Sequence, residues 1–107
     1  MSELPRTYQR FQSQYHELWK AYEHLGATAA ETGPLESKCR QLIKLGMAAA
    51  NQTESAVKSH THRALEAGAT AEEIQHAVLL GITTIGFPAT MAALSWAQLA
   101  IADHHVS

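Results

Sequence analysis

The chain has one cysteine, Cys39, among its 107 residues, which excludes an intrachain disulfide and any dithiol redox pair within one subunit. Charge is also sparse. Asp, Glu, Lys and Arg make up 17% of the residues, against about 25% in an ordinary soluble domain. No formal charge occurs from Ile74 to Ala102, and all eight Lys and Arg fall between Arg6 and Arg63. A formal net charge of −2 gives no broad cationic face, so neither nucleic acid nor an anionic membrane is expected as a partner. The uncharged stretch is long enough to raise a membrane span, but Gln75, His76, Thr83, Thr84, Thr90, Ser95 and Gln98 interrupt it and Gly86-Phe87-Pro88 divides it. It reads instead as two buried helices of a soluble protein. The first residues lack the basic-then-apolar order of a secretory signal, and a cytoplasmic location is the expectation. Glycines are isolated, which leaves no phosphate-cradling or dinucleotide loop, and no serine triad is spaced for hydrolysis.

Apolar periodicity dominates what remains. Tyr8, Phe11, Tyr15, Leu18, Trp19, Tyr22 and Leu25 recur at three and four and predict one amphipathic helix with an aromatic seam, ending near Gly26 to Pro34. A second helix is expected from Leu35 to Ala50, with Leu35, Cys39, Leu42, Ile43, Gly46, Met47 and Ala50 facing inward. A third follows from Thr53 to Gly68. Thr70 with Glu73 three residues on is a capping box opening a fourth helix that runs through Ile85. Pro88 suits the first turn of a fifth, apolar nearly all round. The reading is a single all-α domain over 1–107, with an N-terminal helix and loop in 1–33 and a core in 34–103. Its apolar faces exceed what one subunit can cover, which predicts a homo-oligomer.

In the third helix Ala56, Val57, Ala64 and Ala67 place His60 in the middle of the inward stripe, an odd position for an imidazole. A histidine there is either a core residue satisfied by one hydrogen bond, with Gln41 or Thr53 as partner, or the lining of a pocket. Two residues on, His62 points to another side, and His104-His105 lie adjacent near the C-terminus, so neither doublet reads as a metal site and no metal is expected. Cys39 stands about 200° around the helix from Gln41 and reads as a structural thiol.

The segment Asn51-Gln-Thr-Glu-Ser-Ala-Val-Lys-Ser-His60 resembles the signature of the carboxymuconolactone decarboxylase and alkylhydroperoxidase D superfamily, many of whose members carry Cys-x-x-Cys-x-x-x-His. Gln41 to Asn51, Ser59 to Leu65, Glu66 to Glu73 and Gly86 to Ala89 follow the same order and spacing, so the resemblance covers about Leu35 to Ala102. It implies an all-helical domain, assembling as a homo-trimer or homo-hexamer, in which the segment around His60 lines a pocket near a subunit boundary. It also implies a site made of His60, Gln41, Thr53 and Ala56. In the redox branch a glutamate and the histidine relay protons to the cysteine pair. Here Gln41 stands at the glutamate position and Thr53 and Ala56 at the cysteine positions, and neither hydroxyl nor methyl forms a disulfide. The decarboxylase branch needs no thiol and no cofactor, only an anion-binding pocket and a proton-transfer group. His60 is the candidate for that group, and Arg40, Lys44, Lys58 and Arg63 are the candidate carboxylate holders. The expected function is therefore cofactor-free acid/base chemistry on a small carboxylated or carbonyl substrate. The alternatives are a non-catalytic binding or assembly module of the same fold, and an alkylhydroperoxidase-like activity.

Overall fold

The computed structural model describes residues 6–106, and every regular element in that span is helical. The order is α1 (Arg6–Gln14), α2 (His16–Ala30), α3 (Ser37–Ala50), α4 (Glu54–Glu66), α5 (Ala71–Leu79), a single 3₁₀ turn (Leu80–Thr83) and α6 (Phe87–Val106). The chain divides into two units, Met1–Leu35 and Glu36–Ser107.

In the first unit the aromatic segment is two helices, not one. Tyr15 leaves the helical region at φ −124° and ψ 53°. The Tyr8 hydroxyl lies 3.0 Å from Glu23 Oε1, a contact that a straight helix, rising about 1.5 Å per residue, would not permit across fifteen residues. Phe11 and Tyr15 stack at 6.1 Å and His16 and Trp19 at 5.7 Å, so neighbouring rings pack on one another across the bend and along α2. Tyr15, Leu18, Tyr22 and Leu25 remain exposed, and neither helix has a fully buried residue.

In the second unit α3, α4, α5 and α6 pack around one core containing Leu45, Ala48, Ala49, Val57, Ala64, Ala69, Ile74, Val78, Ala93 and Ala97. Its composition is mostly alanine, which lets helix backbones approach closely. On α6 the buried stripe is Thr90, Ala93, Ala97 and Ala100, spaced three, four and three. Leu45, Ile74, Val57 and Val78 are the largest fully buried apolar side chains, each worth about 1.5–3 kcal/mol relative to exposure.

The ends of the helices follow local chemistry. Gln52 takes the left-handed conformation (φ 54°), and the amides of Gln52 and Thr53 reach back to the carbonyls of Ala49 and Ala48, closing α3 in a Schellman turn. Gly68, at φ 100°, closes α4 the same way through Ala69 N to Ala64 O at 2.9 Å. The expected capping box is present: Thr70 Oγ1 accepts from Glu73 N and Glu73 Oε1 accepts from Thr70 N. Lys38 reaches Glu73 at 3.2 Å, tying α3 to the start of α5. The Thr70 amide first and Lys38 second hold the Glu73 carboxyl below its ordinary range.

Three expectations are corrected. The fourth helix does not run through Ile85: it ends at Leu79 and tightens into the 3₁₀ turn, where Ile85 N and Gly86 N both return to Gly81 O. On α3 the inward face is Leu45, Ala48 and Ala49, while Ile43 and Met47 are exposed at 41% and 66%. On α4 the buried stripe is Val57, Thr61 and Ala64, so His60 lies at its edge, half-buried, and not at its centre. On α3 both sides are apolar enough to satisfy the periodicity, and packing chose the rotation.

Candidate functional site around His60

The rotation of α3 determines what His60 meets. Gln41, Leu45 and Ala48 are spaced four and three on α3, so Gln41 shares the face whose next two members are buried in the core. That face is turned to α4. There Gln41 Oε1 lies 3.0 Å from His60 Nδ1. A carbonyl oxygen only accepts, so Nδ1 carries the proton and neutral His60 presents an unprotonated Nε2.

Charge around the ring reinforces that state. Burial is the largest influence and lowers the proton affinity of His60 below the ordinary imidazole value, and the cationic Arg63 and Lys44 lower it further. Arg63 follows His60 by three residues on α4 and Lys44 follows Gln41 by three on α3, so each cation stands about one turn from its member of the pair. The arrangement is a neutral base with a lone pair, oriented by an amide and bordered by two positive charges. It can accept a proton from an acid held near those charges.

The other predicted positions are distributed differently. Ala56 lies one turn before His60 on the same side of α4 and packs half-buried against the core. Thr53 precedes α4 and uses its hydroxyl locally, accepting from Asn51 Nδ2 at 3.1 Å and donating to Asn51 O at 3.4 Å. Of the two partners proposed for His60, the structure brings Gln41 to it, and the Thr53 hydroxyl bonds elsewhere. Lys58 pairs with Glu54 at 2.9 Å, and Arg40 is half-buried on α3. Thr53 and Lys58, with Gln52, Glu54 and Ser55, line a shallow open depression at the start of α4 that does not include His60. Cys39 is a free thiol, half-buried.

Two features escaped the sequence reading. Gln52 Nε2 donates to Ala49 O at 2.8 Å and to Ala89 O at 2.9 Å, pinning the turn before α4 to the first residues of α6. His62 and His104, read in sequence as parts of separate doublets, meet at 3.2 Å between α4 and α6. Sequence separation hid both, since each joins residues about forty positions apart with no periodic signal between them.

The chain matches the carboxymuconolactone decarboxylase family profile over residues 16–99. The match starts at His16, so it takes in α2, which the resemblance from Leu35 onward had left out. An uncharacterised protein of Haemophilus influenzae is 35% identical over 63 residues, which is 59% of this chain and 56% of that relative, so the chain spans little more than half of the relative's length. Among crystal structures, an apo carboxymuconolactone decarboxylase family protein from Legionella pneumophila superposes with a TM-score of 0.80 at 24% identity, covering 92% of this chain and 87% of that one. A Burkholderia xenovorans LB400 protein bearing the same decarboxylase name gives 0.72 at 24% identity, with coverages of 94% and 81%. At that identity the two structures speak to the fold alone.

Proposed function

The chain belongs to the carboxymuconolactone decarboxylase family, and from that premise we propose that it is a cofactor-free proton-transfer catalyst in which neutral His60 acts on a small carboxylated or carbonyl substrate. The observation that carries this reading is the 3.0 Å contact from Gln41 Oε1 to His60 Nδ1, which leaves Nε2 as a base. Lys44 and Arg63 attract the substrate's anionic group, and the same cations stabilise the enolate that forms when Nε2 removes a proton beside a carbonyl. His60 then returns that proton to carbon, so the cycle consumes no oxidant and leaves the imidazole neutral. Decarboxylation fits the same frame once Nε2 has taken a proton from solvent: loss of carbon dioxide leaves a carbanion that this imidazolium protonates, which returns His60 to its neutral state. Disulfide peroxidase chemistry does not fit, because Thr53 and Ala56 supply no thiols.

The proposal includes assembly. Ile43 and Met47 on α3, Leu80 and Ile82 in the 3₁₀ turn, and Phe87 and Leu99 on α6 are exposed apolar side chains, a surface that a second copy of the chain would remove from water. A homo-trimer or homo-hexamer would also enclose the half-buried His60. Light scattering behind a sizing column measures this directly, and a well-behaved monomer at micromolar concentration would remove the assembly from the proposal.

The catalytic reading is tested by incubating the protein in deuterated water with a panel of small keto- and lactone-carboxylates and following carbon-bound protons by NMR. Exchange or turnover that His60→Gln abolishes without changing the assembly state is the expected result. No reaction across the panel, or exchange that survives His60→Gln, refutes it. The exposed apolar surface also supports a second reading, a non-catalytic assembly module, and an oligomer that forms normally while no compound reacts would favour it.

A further inference from the structure

His62 on α4 and His104 on α6 are 42 residues apart and face each other through Nδ1 atoms at 3.2 Å, with ring centroids 5.4 Å apart and planes inclined by 41°. Behind His62, Asp103 Oδ2 lies 3.4 Å from Nε2. The His62 side chain is 17% exposed and that of Asp103 58%, so the cluster opens to water on the Asp103 side. A carboxylate beside Nε2 favours the tautomer that carries its proton there, which leaves the Nδ1 of neutral His62 unprotonated and facing the corresponding nitrogen of a second imidazole. Two imidazole nitrogens bound to a tetrahedral ion at about 2.0–2.1 Å are separated by roughly 3.3 Å, close to the observed spacing. A carboxylate on the far nitrogen of a ligating histidine is the usual second support: it fixes the tautomer and raises the basicity of the ligating atom.

We propose that His62 and His104 form a two-histidine site for a divalent transition ion of the borderline class, Zn²⁺, Ni²⁺ or Cu²⁺, bound through both Nδ1 atoms with Asp103 orienting His62. Imidazole pairs select this class over Mg²⁺ and Ca²⁺, which take oxygen ligands. In the ion-free state His104 Nδ1–H donates to His62 Nδ1. Ion binding displaces the proton shared between the two Nδ1 atoms. Among the described residues no group of three or more His, Cys, Asp or Glu surrounds one point, so the ion keeps coordination positions for water and binds more weakly than at a four-ligand structural site. Asp103, beside the far nitrogen of His62, adds negative charge next to the site. The ion would bridge α4 to the last turns of α6, so binding also stabilises the fold. Nothing in this site involves His60, and its failure would leave the catalytic reading untouched.

The test is calorimetric titration of the intact protein with ZnCl₂ or NiCl₂ alone in a weakly coordinating buffer, with His62→Gln, His104→Gln and Asp103→Asn in parallel. One ion per chain is expected, with affinity falling at least tenfold in either histidine variant and about tenfold in Asp103→Asn. An ion-dependent rise in melting temperature should disappear in the histidine variants. Because five other histidines offer adventitious binding, the decisive comparison is the double variant His62→Gln/His104→Gln. Equal stoichiometry and affinity there, or no binding by the unsubstituted protein, overturns the proposal. As a second readout that does not depend on folding differences between variants, Zn²⁺ must shift the Nδ1 resonances of both rings together. A ring pair that responds to pH but not to Zn²⁺ sinks it.

Discussion

Gln41→Glu should raise the proton affinity of His60 and so flatten or reverse the pH dependence that His60 contributes to stability. In the unsubstituted protein the proton affinity of His60 is held below the ordinary value of 6.5, chiefly by burial and then by Arg63 and Lys44. The folded state therefore binds fewer protons than the unfolded state in this window, and stability rises with pH. The His60 contribution is fully present above pH 6.5 and is lost as pH falls through the lowered folded value. A carboxylate at position 41 would replace a neutral acceptor 3.0 Å from Nδ1. An opposite charge at such range raises a histidine's pKa by about 1–3 pH units, and partial exposure places this site near one. That is tenfold in proton affinity, or about 1.4 kcal/mol between the two protonation states. If the rise carries the folded value above 6.5, the slope inverts: the contribution is present below pH 6.5 and is lost as pH rises through the folded value. The assay is an NMR titration of the His60 ring together with urea midpoints from pH 5 to 8, in both proteins. An unchanged His60 titration in Gln41→Glu, or a value above 6.5 already in the unsubstituted protein, would refute the account of the pair.

Gln52→Ala removes two amide hydrogen bonds, to Ala49 O and Ala89 O, and should cost about 2 kcal/mol in urea unfolding at ~1 kcal/mol each. Gln52→Gly loses the same bonds but releases the left-handed strain at φ 54°, worth roughly 1 kcal/mol; it should fall between the alanine variant and the parent, and any other ranking contradicts the turn assignment. Gly81→Ala would set a Cβ 2.9 Å from Thr90 Oγ1 and 3.2 Å from Ile85 Cγ1, and overpacking there should lower stability by about 1–3 kcal/mol. A neutral melting curve would mean that the 3₁₀ turn yields easily. Peroxide consumption with a dithiol reductant should stay at background, and a rate that Cys39→Ser abolishes would restore thiol chemistry.

The helices were legible because their punctuation is local. Thr70 with Glu73 fixed the start of α5, and Gly68 fixed the end of α4, through bonds spanning three to five residues. Tyr15 gave no such sign: no glycine or proline marks the bend, which shows only in its backbone angles and in the contact of Tyr8 with Glu23. The 3₁₀ turn at Leu80–Thr83 was hidden for a related reason, since its residues are as apolar as those of the helix it follows.

The candidate site shows the sharper limit. Periodicity placed the inward face of α3 along Cys39, Ile43 and Met47 and so turned Gln41 away from the core. The fold buries the opposite choice, Leu45 with Ala48 and Ala49, and that rotation is what delivers Gln41 to His60. Hydrophobic spacing records that a face is covered and not what covers it. If the exposed Ile43 and Met47 are buried by another copy of the chain, both stripes of α3 are real, one inside the subunit and one between subunits. Met47→Glu would then lower the assembly state measured by light scattering while leaving the Gln41 to His60 bond and the helical content intact. A variant that assembles as the parent does would show that the outward stripe of α3 faces water.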